Sequence, residues 1–336
     1  MLTVRLVRKA LRTRFVDQAP FILSHLLTGR CNADCATCLW KMSADARVDE
    51  LTTEEVVSLY RDAAAAGFQV LVLWGGEPLL RSDTGAVLRA AREAGMATTM
   101  ITNGWWLESR ADEVAPWLNR LMVSVDAIGA RHDEIRRSPG LFDRLELGLA
   151  RVRKVYPDVD IIINGVLSRL NADQVEAIAE FGNHYGAHVT FQGMDVSDYG
   201  HAERSLDLTH VQLTPDEEAK VAARIIQLRH SGYPVRDSNS YLARLGRDTG
   251  RYKCHFKKVC MRVEPNGDVL DCVEDGVALA NVREVALGDL MRRRQFRDFQ
   301  RRAEACNRCR DAAPIEVSHI WEGRIEAIWN AVKSLI

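Results

Sequence analysis

The stretch FILSHLLTGRCNADCATC, residues 21–38, decides how this chain is read. Residues 21–28 form an apolar run of the length of one buried strand, and Gly29-Arg30 ends it. Three thiols then fall within eight residues, at Cys31, Cys35 and Cys38. Packing alone rarely asks for three cysteines so close together, so they read as thiolate ligands. The spacing C-x3-C-x2-C on a loop leaving a strand suits three irons of a 4Fe–4S cube and leaves the fourth iron for a small molecule. A structural zinc site would want a fourth Cys or His, and His25 lies on the strand itself at a less natural spacing.

Outward from that loop, β-type runs at 21–28, 68–74, 98–102, 121–126, 160–167 and 188–192 alternate with amphipathic stretches. Capping-box patterns open several of those stretches: Thr52 with Glu55, Asn171 with Gln174, and Thr214-Pro215 with Glu217. Gly67, Gly95 and Gly186 stand where helices should stop. Six βα units in succession predict a parallel sheet with right-handed crossovers, in the α/β class. Periodicity does not decide whether it stays open or curls.

The pattern changes after Gly232. Residues 233–253, with Pro234, Gly246 and Gly250, carry no sustained period and read as a linker. Strand-like runs at 259–263 and 268–271 then flank Pro265-Asn266-Gly267, a hairpin turn. The remaining cysteines belong to this unit: Cys254, Cys260, Cys272 and the pair Cys306-x2-Cys309, delivered by a charged helix over 283–302. The chain thus divides into segments 1–20, 21–232, 233–253, 254–312 and 313–336.

With 45 Lys+Arg against 46 Asp+Glu among 336 residues, the formal charge is −1, which argues against a nucleic-acid partner. The 47% hydrophobic content argues against disorder. No apolar run reaches the roughly 18 residues of a membrane span, and the first 30 residues lack a secretory apolar stretch, so a cytoplasmic location is expected. The first residues add a qualification. Val4, Val7, Leu11 and Phe15 make a helical apolar stripe, while Arg5, Arg8, Lys9, Arg12 and Arg14 supply charge. Such a segment either lies on an anionic membrane surface, as a peripheral contact, or covers the floor of the sheet. The run Arg292-Arg293-Arg294 with Arg297, Arg301, Arg302 and Arg308 reads as a solvated helix face, because Asp289, Asp298 and Glu304 are interspersed. Residues 315–336 read as a packing helix.

On the cysteine triplet, the sequence resembles the radical S-adenosylmethionine superfamily, whose cluster motif has this spacing at this place. Gly75-Gly76-Glu77-Pro78 after the second strand is similar to the family's GGE motif. The resemblance implies that this loop holds the amino group of S-adenosylmethionine, the glycines exposing backbone and Glu77 answering the ammonium. It also implies that Ser124, Asp126 and Asn164 reach the cofactor, each having a strand-end cap or turn as its plain alternative, while Thr102-Asn103-Gly104 recurs as a turn. One departure stands out. Many members place an aromatic residue before the third cysteine, against adenine, and this chain has Thr37; Trp40 takes that role, or backbone alone does.

The same resemblance implies a partial (β/α)6 TIM-like barrel followed by a small α+β unit. That unit, from Cys254 through Gly267 to Cys272 and then Cys306-x2-Cys309, is similar to SPASM and twitch domains, which bind auxiliary iron–sulfur clusters. Five cysteines compete for the ligands of one auxiliary 4Fe–4S cluster. The hairpin spacing favours Cys254, Cys272, Cys306 and Cys309, some relatives point to Cys260, and a zinc site stays open as the non-redox reading. The implied chemistry is reduction by a flavodoxin- or ferredoxin-type donor, cleavage of S-adenosylmethionine to a 5′-deoxyadenosyl radical, and hydrogen abstraction from substrate. Gln192, Asp195 and His255 are the candidate catalytic residues. Peptide-maturing relatives often carry a recognition module of about eighty residues before the cluster motif, and here Cys31 has 30 residues before it. The expected substrate is therefore a small or lipid-like molecule, with peptide modification the alternative and a non-enzymatic iron–sulfur sensor a remote one.

Overall fold

The computed structural model describes residues 2–38, 49–194, 208–246, 252–271, 277–306 and 309–333. Helix α1 (Leu2–Arg12) and a π-helical turn, Thr13–Asp17, lead into β1 (Ile22–Thr28). Then follow α2 (Thr53–Ala65), β2 (Val70–Gly75), α3 (Thr84–Glu93), β3 (Ala97–Thr102), α4 (Leu107–Val114) and β4 (Arg120–Ser124). Two helices, α5 (Ala130–Arg136) and α6 (Leu141–Val155), precede β5 (Asp160–Leu167), and α7 (Val175–His184) precedes β6 (His188–Gly193). Beyond them lie α8 (Pro215–His230), α9 (Asn239–Leu242), α10 (Phe256–Val259), β7 (Cys260–Val263), β8 (Asp268–Asp271) and β9 (Val277–Asn281). The chain continues through α11 (Leu287–Arg292), α12 (Arg294–Glu304), α13 (Ala312–Trp321) and α14 (Ile325–Lys333).

Among the described residues these strands make one sheet in the order β6-β5-β4-β3-β2-β1-β7-β8-β9. Strands β1 to β6 are parallel, and β7 adds to β1 in parallel, with Ile22 beside Cys260, before β8 and β9 turn back antiparallel. The second cysteine unit therefore extends the main sheet. Leu71 and Leu73 of β2, Leu121 and Val123 of β4, Ile161 and Ile163 of β5, and Val189 and Phe191 of β6 join the core with the helices. Full burial of such a side chain is worth about 1.5–3 kcal/mol, so this face fastens helices to sheet. The alternate residues, among them Ser124, Asn164 and Thr190, face the other way.

Capping boxes stand at Thr52 with Glu55 and at Thr214 with Glu217, and Gly67, Gly95 and Gly186 take positive φ at helix ends. Other expectations are corrected. Asn171 accepts from Ser168 N at 2.8 Å instead of capping a helix, and α7 starts at Val175. The charged helix breaks at Arg293, whose backbone is extended, into α11 and α12. The linker contains α9 and a bridge from Val235 to Val189, and the last segment is two helices separated at Gly323, at φ 82°.

Candidate cluster and cofactor site

Every parallel strand ends at the same edge of the sheet, and the cysteine loop leaves β1 there. Backbone ties hold the loop to its neighbours. Gly76 N donates to Thr28 O at 2.9 Å, and Glu77 N to Arg30 O at 2.8 Å. A Cβ on Gly76 would stand 2.1 Å from Arg30 O, and one on Gly75, at φ 151°, 2.4 Å from Thr28 O. The glycine pair is thus required by the passing cysteine loop itself, a reason the sequence did not disclose. On the other side, Ala36 N donates to Ile135 O at 2.8 Å, Asn103 Nδ2 to Asn32 Oδ1 at 2.9 Å, and Arg137 pairs with Asp34 at 3.0 Å.

Glu77 is fully buried and already engaged. Its Oε1 accepts from Leu79 N at 2.9 Å and Thr102 Oγ1 at 2.8 Å, and its Oε2 from Asn103 N at 2.7 Å. Burial raises its pKa against those three donors. An ionised carboxylate offers about four acceptor sites, so one is left for a ligand ammonium. Glu77 thereby also clamps the end of β3 to the Gly75-Gly76-Glu77-Pro78 loop. Pro78 opens a buried 3-10 turn whose carbonyl accepts from Thr84 Oγ1 at 2.6 Å.

Sequence reasoning missed Arg136. Its Nε donates to Asp126 Oδ2 at 2.7 Å, while Asp126 Oδ1 accepts from Val166 N at 3.0 Å. The guanidinium also lies beside Cys35 and Cys38. Asp126 is therefore fully buried as the anchor of this cation. Its spacing of ten residues from the strand-end acid Asp126 was the available signal. Ser124, Asn164 and Thr190 are side by side across β4, β5 and β6, and Thr190 Oγ1 donates to Asn164 Oδ1 at 2.9 Å. Thr190 was not foreseen. Gln192 is on the same face one step further along β6.

The residues fit an iron–sulfur cluster. Burial pushes the Cys31 thiol up to about 12, with the Cys35 and Cys38 sulfurs near enough to add to the shift, and burial raises Cys35 against the pull of Arg136. Bound iron deprotonates such thiols outright, and a guanidinium beside them favours the thiolate form. Among the described residues no three His, Cys, Asp or Glu converge closely enough for a single metal ion. Ligands around a cube stand farther apart than ligands around one ion.

In the second group, the buried Tyr252 hydroxyl borders Cys309, Cys254 and Cys306; burial and these three sulfurs together push its pKa up. Arg244 lies 4.8 Å from the Tyr252 ring centroid. Arg310, next to Cys309, pairs with Glu218, and its carbonyl accepts from Tyr241 Oη, which takes Gly193 N at the end of β6 at 2.9 Å. These thiols therefore lie toward the β6 edge of the sheet. Cys260 starts β7 beside Ile22, its thiol contacting the Met261 carbonyl. His255 is a correction. It precedes α10, which feeds the N-terminal end of β7, and the charges acting on it are Lys258, Glu304, Glu322 and Arg14, at the end of the sheet opposite the strand ends that lead to Cys31. Trp40, Asp195 and Cys272 lie outside the described residues.

A family model for the radical SAM superfamily matches residues 26–182, and one for an iron–sulfur cluster-binding domain, SPASM, matches residues 254–311. The chain belongs to the radical SAM superfamily. A radical SAM domain binds S-adenosylmethionine and a 4Fe–4S cluster, and a SPASM domain binds auxiliary iron–sulfur clusters. It is similar to the AdoMet-dependent heme synthase of Methanosarcina barkeri, 34% identical over 52% of this chain and 52% of that one. It is also similar to the PqqA peptide cyclase of Ruegeria pomeroyi, 31% identical over 50% of this chain and 46% of that one. The chain thus spans about half the length of the curated relatives it matches. In fold it is similar to Streptococcus suis SuiB bound to precursor peptide SuiA, with TM-score 0.66, 16% identity, and 87% and 69% coverage. It is likewise similar to anSMEcpe with bound AdoMet, with TM-score 0.64, 17% identity, and 94% and 98% coverage.

Proposed function

We propose that this radical SAM enzyme abstracts hydrogen from a peptide, at the edge of the sheet where Cys31, Cys35 and Cys38 lie. When bound, the cluster and S-adenosylmethionine supply the hydrogen-abstracting chemistry. The chain's own part is to orient the cofactor: the free acceptor site of Glu77 takes the ammonium, Arg136 takes the carboxylate, and the row Ser124, Asn164, Thr190 offers hydroxyl and amide partners to the ribose. Gln192, further along the same face, meets the substrate. Cys254, Cys306 and Cys309, with Cys272, would hold one auxiliary 4Fe–4S cluster, which would supply an electron acceptor or an anchor for the substrate, and a flavodoxin- or ferredoxin-type protein would be the electron donor.

The observation carrying the reading is the buckled pair of loops, cysteine triplet on Gly75-Gly76, with a buried cation beside the thiols. The peptide class rests on the relatives: one is a peptide cyclase, and the fold is similar to an enzyme bound to its precursor peptide. The basic segment that argued for a lipid-like substrate lies at the opposite end of the sheet, so it bears on attachment rather than on substrate. The test uses fully deuterated host cells, fractionated into peptides, small metabolites and lipids, each incubated with reconstituted enzyme, S-adenosylmethionine and dithionite. Deuterium should enter 5′-deoxyadenosine from the peptide fraction. Transfer from metabolites or lipids alone would replace the substrate class, and transfer from none would remove hydrogen abstraction.

A further inference from the structure

Helix α1 carries its apolar stripe on the outside. Leu6 and Thr13 are buried, and Ala10 packs against Phe21, Val259 and Trp321. Val4, Leu11, Phe15 and Val16, in contrast, are 73%, 53%, 71% and 74% exposed, and Val7 is 39% exposed. A helix whose sole task was to cover the floor of the sheet would turn this stripe inward. Its charges divide in the same way. The Arg5 and Lys9 side chains come within 3.4 and 3.5 Å of where a Cβ would stand on Gly95 and Gly67, against the C-terminal ends of α3 and α2, where cations are favoured. Arg8 and Arg12 instead flank the outward stripe, Arg12 with Asp17 at 2.8 Å.

A second element supplies more positive charge beside this face. Gln300 of α12 donates to Gln18 O at 3.2 Å, which sets that helix next to the turn following α1. Arg297, three residues earlier, and Arg301, the next residue, are both exposed, Arg301 pairing with Asp298. The outward apolar stripe thus has Arg8 and Arg12 beside it, and the turn that follows its helix touches α12, which carries exposed arginines from nearly three hundred residues further along the chain. We propose that α1 and the arginine face of α12 form one docking surface for an anionic lipid membrane. Apolar side chains enter the headgroup boundary while arginines meet lipid phosphates, the division of labour of an interfacial helix. Because α1 crosses the N-terminal ends of the strands, the docked chain presents the Cys31–Cys38 loop away from the lipid.

The experiment sediments the reconstituted full chain with vesicles of phosphatidylcholine plus phosphatidylglycerol, and with phosphatidylcholine alone. Binding to the mixed vesicles is expected at low salt, fading as the Debye length falls from about 10 Å at 0.1 M to about 3 Å at 1 M. Each of Arg8→Gln, Arg297→Gln and Arg301→Gln should weaken partitioning about fivefold, and the triple variant on the order of a hundredfold. Leu11→Asp/Phe15→Asp should abolish it with an unchanged melting temperature, since both side chains face outward. Absence of binding to the mixed vesicles at low salt overturns the proposal. So does undiminished binding by the Leu11→Asp/Phe15→Asp variant, or a dimer in sedimentation velocity that this variant dissociates while vesicles are ignored. None of these outcomes touches the deuterium experiment, so the docking surface and the peptide reading fail separately.

Discussion

Replacing Glu77 by alanine tests whether this carboxylate is a clamp of the fold as well as a contact for the cofactor. It accepts from two backbone amides, Leu79 N and Asn103 N, and from Thr102 Oγ1, all within residues that are at most 6% exposed. Alanine leaves the amides unpaired in the interior, where each unsatisfied donor costs about 1–3 kcal/mol; the Thr102 hydroxyl can rotate. The two amides alone come to about 2–6 kcal/mol, a large part of a typical total stability of about 5–15 kcal/mol. With an m-value near 3 kcal/mol/M in urea, the unfolding midpoint should fall by about 0.7–2 M. Glu77→Gln keeps one acceptor and turns an NH2 toward an N–H, so its midpoint should lie between alanine and parent. Urea unfolding followed by circular dichroism reads both. If Glu77→Ala unfolds at the parent's midpoint and only S-adenosylmethionine affinity drops, Glu77 is a ligand contact and the clamp does not exist.

Four further outcomes follow from the geometry. Gly76→Ala drives a Cβ into Arg30 O and should drop iron from about eight to about four per chain while the auxiliary cluster survives, measured by iron analysis. Tyr252→Phe removes a hydroxyl bordering Cys309 and should lower the potential of the auxiliary cluster alone in an EPR-monitored redox titration, because hydrogen bonds to sulfur raise potentials. Cys260→Ala should keep about eight irons, whereas Cys309→Ala should keep about four. His132, fully buried with Nδ1 accepting from Asp126 N at 3.2 Å, has its pKa lowered to about 4, chiefly by burial. The unfolded chain takes up this proton first as pH falls below about 6.5, so stability is full above 6.5 and shrinks by up to about 3 kcal/mol as pH falls through 4. His132→Asn keeps an acceptor that does not titrate, and its urea midpoints should fall less steeply between pH 7 and pH 4.5.

Much of this architecture was legible because local signals and tertiary roles agree. Strand β5 and the cluster loop announce themselves by an apolar run and by three thiols, chemistry that needs no distant partner to be recognised. Where the decisive partner is far away in sequence, the reading failed. Gly76 looked like a ligand-facing glycine because the Arg30 carbonyl filling its Cβ position is contributed by another loop. Arg136 was passed over because its burial beside Asp126 and Cys35 is a property of three elements converging. His255 stood one residue from a candidate ligand in sequence, yet it leads into α10 at the other end of the sheet. The stripe on α1 was visible, and its direction was not, since periodicity places residues on one face without saying whether that face turns inward.

The central claim is that one loop of three thiols and one separate set of thiols each hold a 4Fe–4S cluster. Mössbauer spectroscopy of the anaerobically 57Fe-reconstituted chain tests it most directly, with iron and sulfide counted on the same sample and S-adenosylmethionine added before a second spectrum. The account predicts about eight irons per chain, all in cubes, with one iron site shifted by S-adenosylmethionine; that shift should vanish, together with about four irons, in Cys31→Ala/Cys35→Ala/Cys38→Ala. About four irons with stoichiometric zinc, or a spectrum indifferent to S-adenosylmethionine, would contradict it.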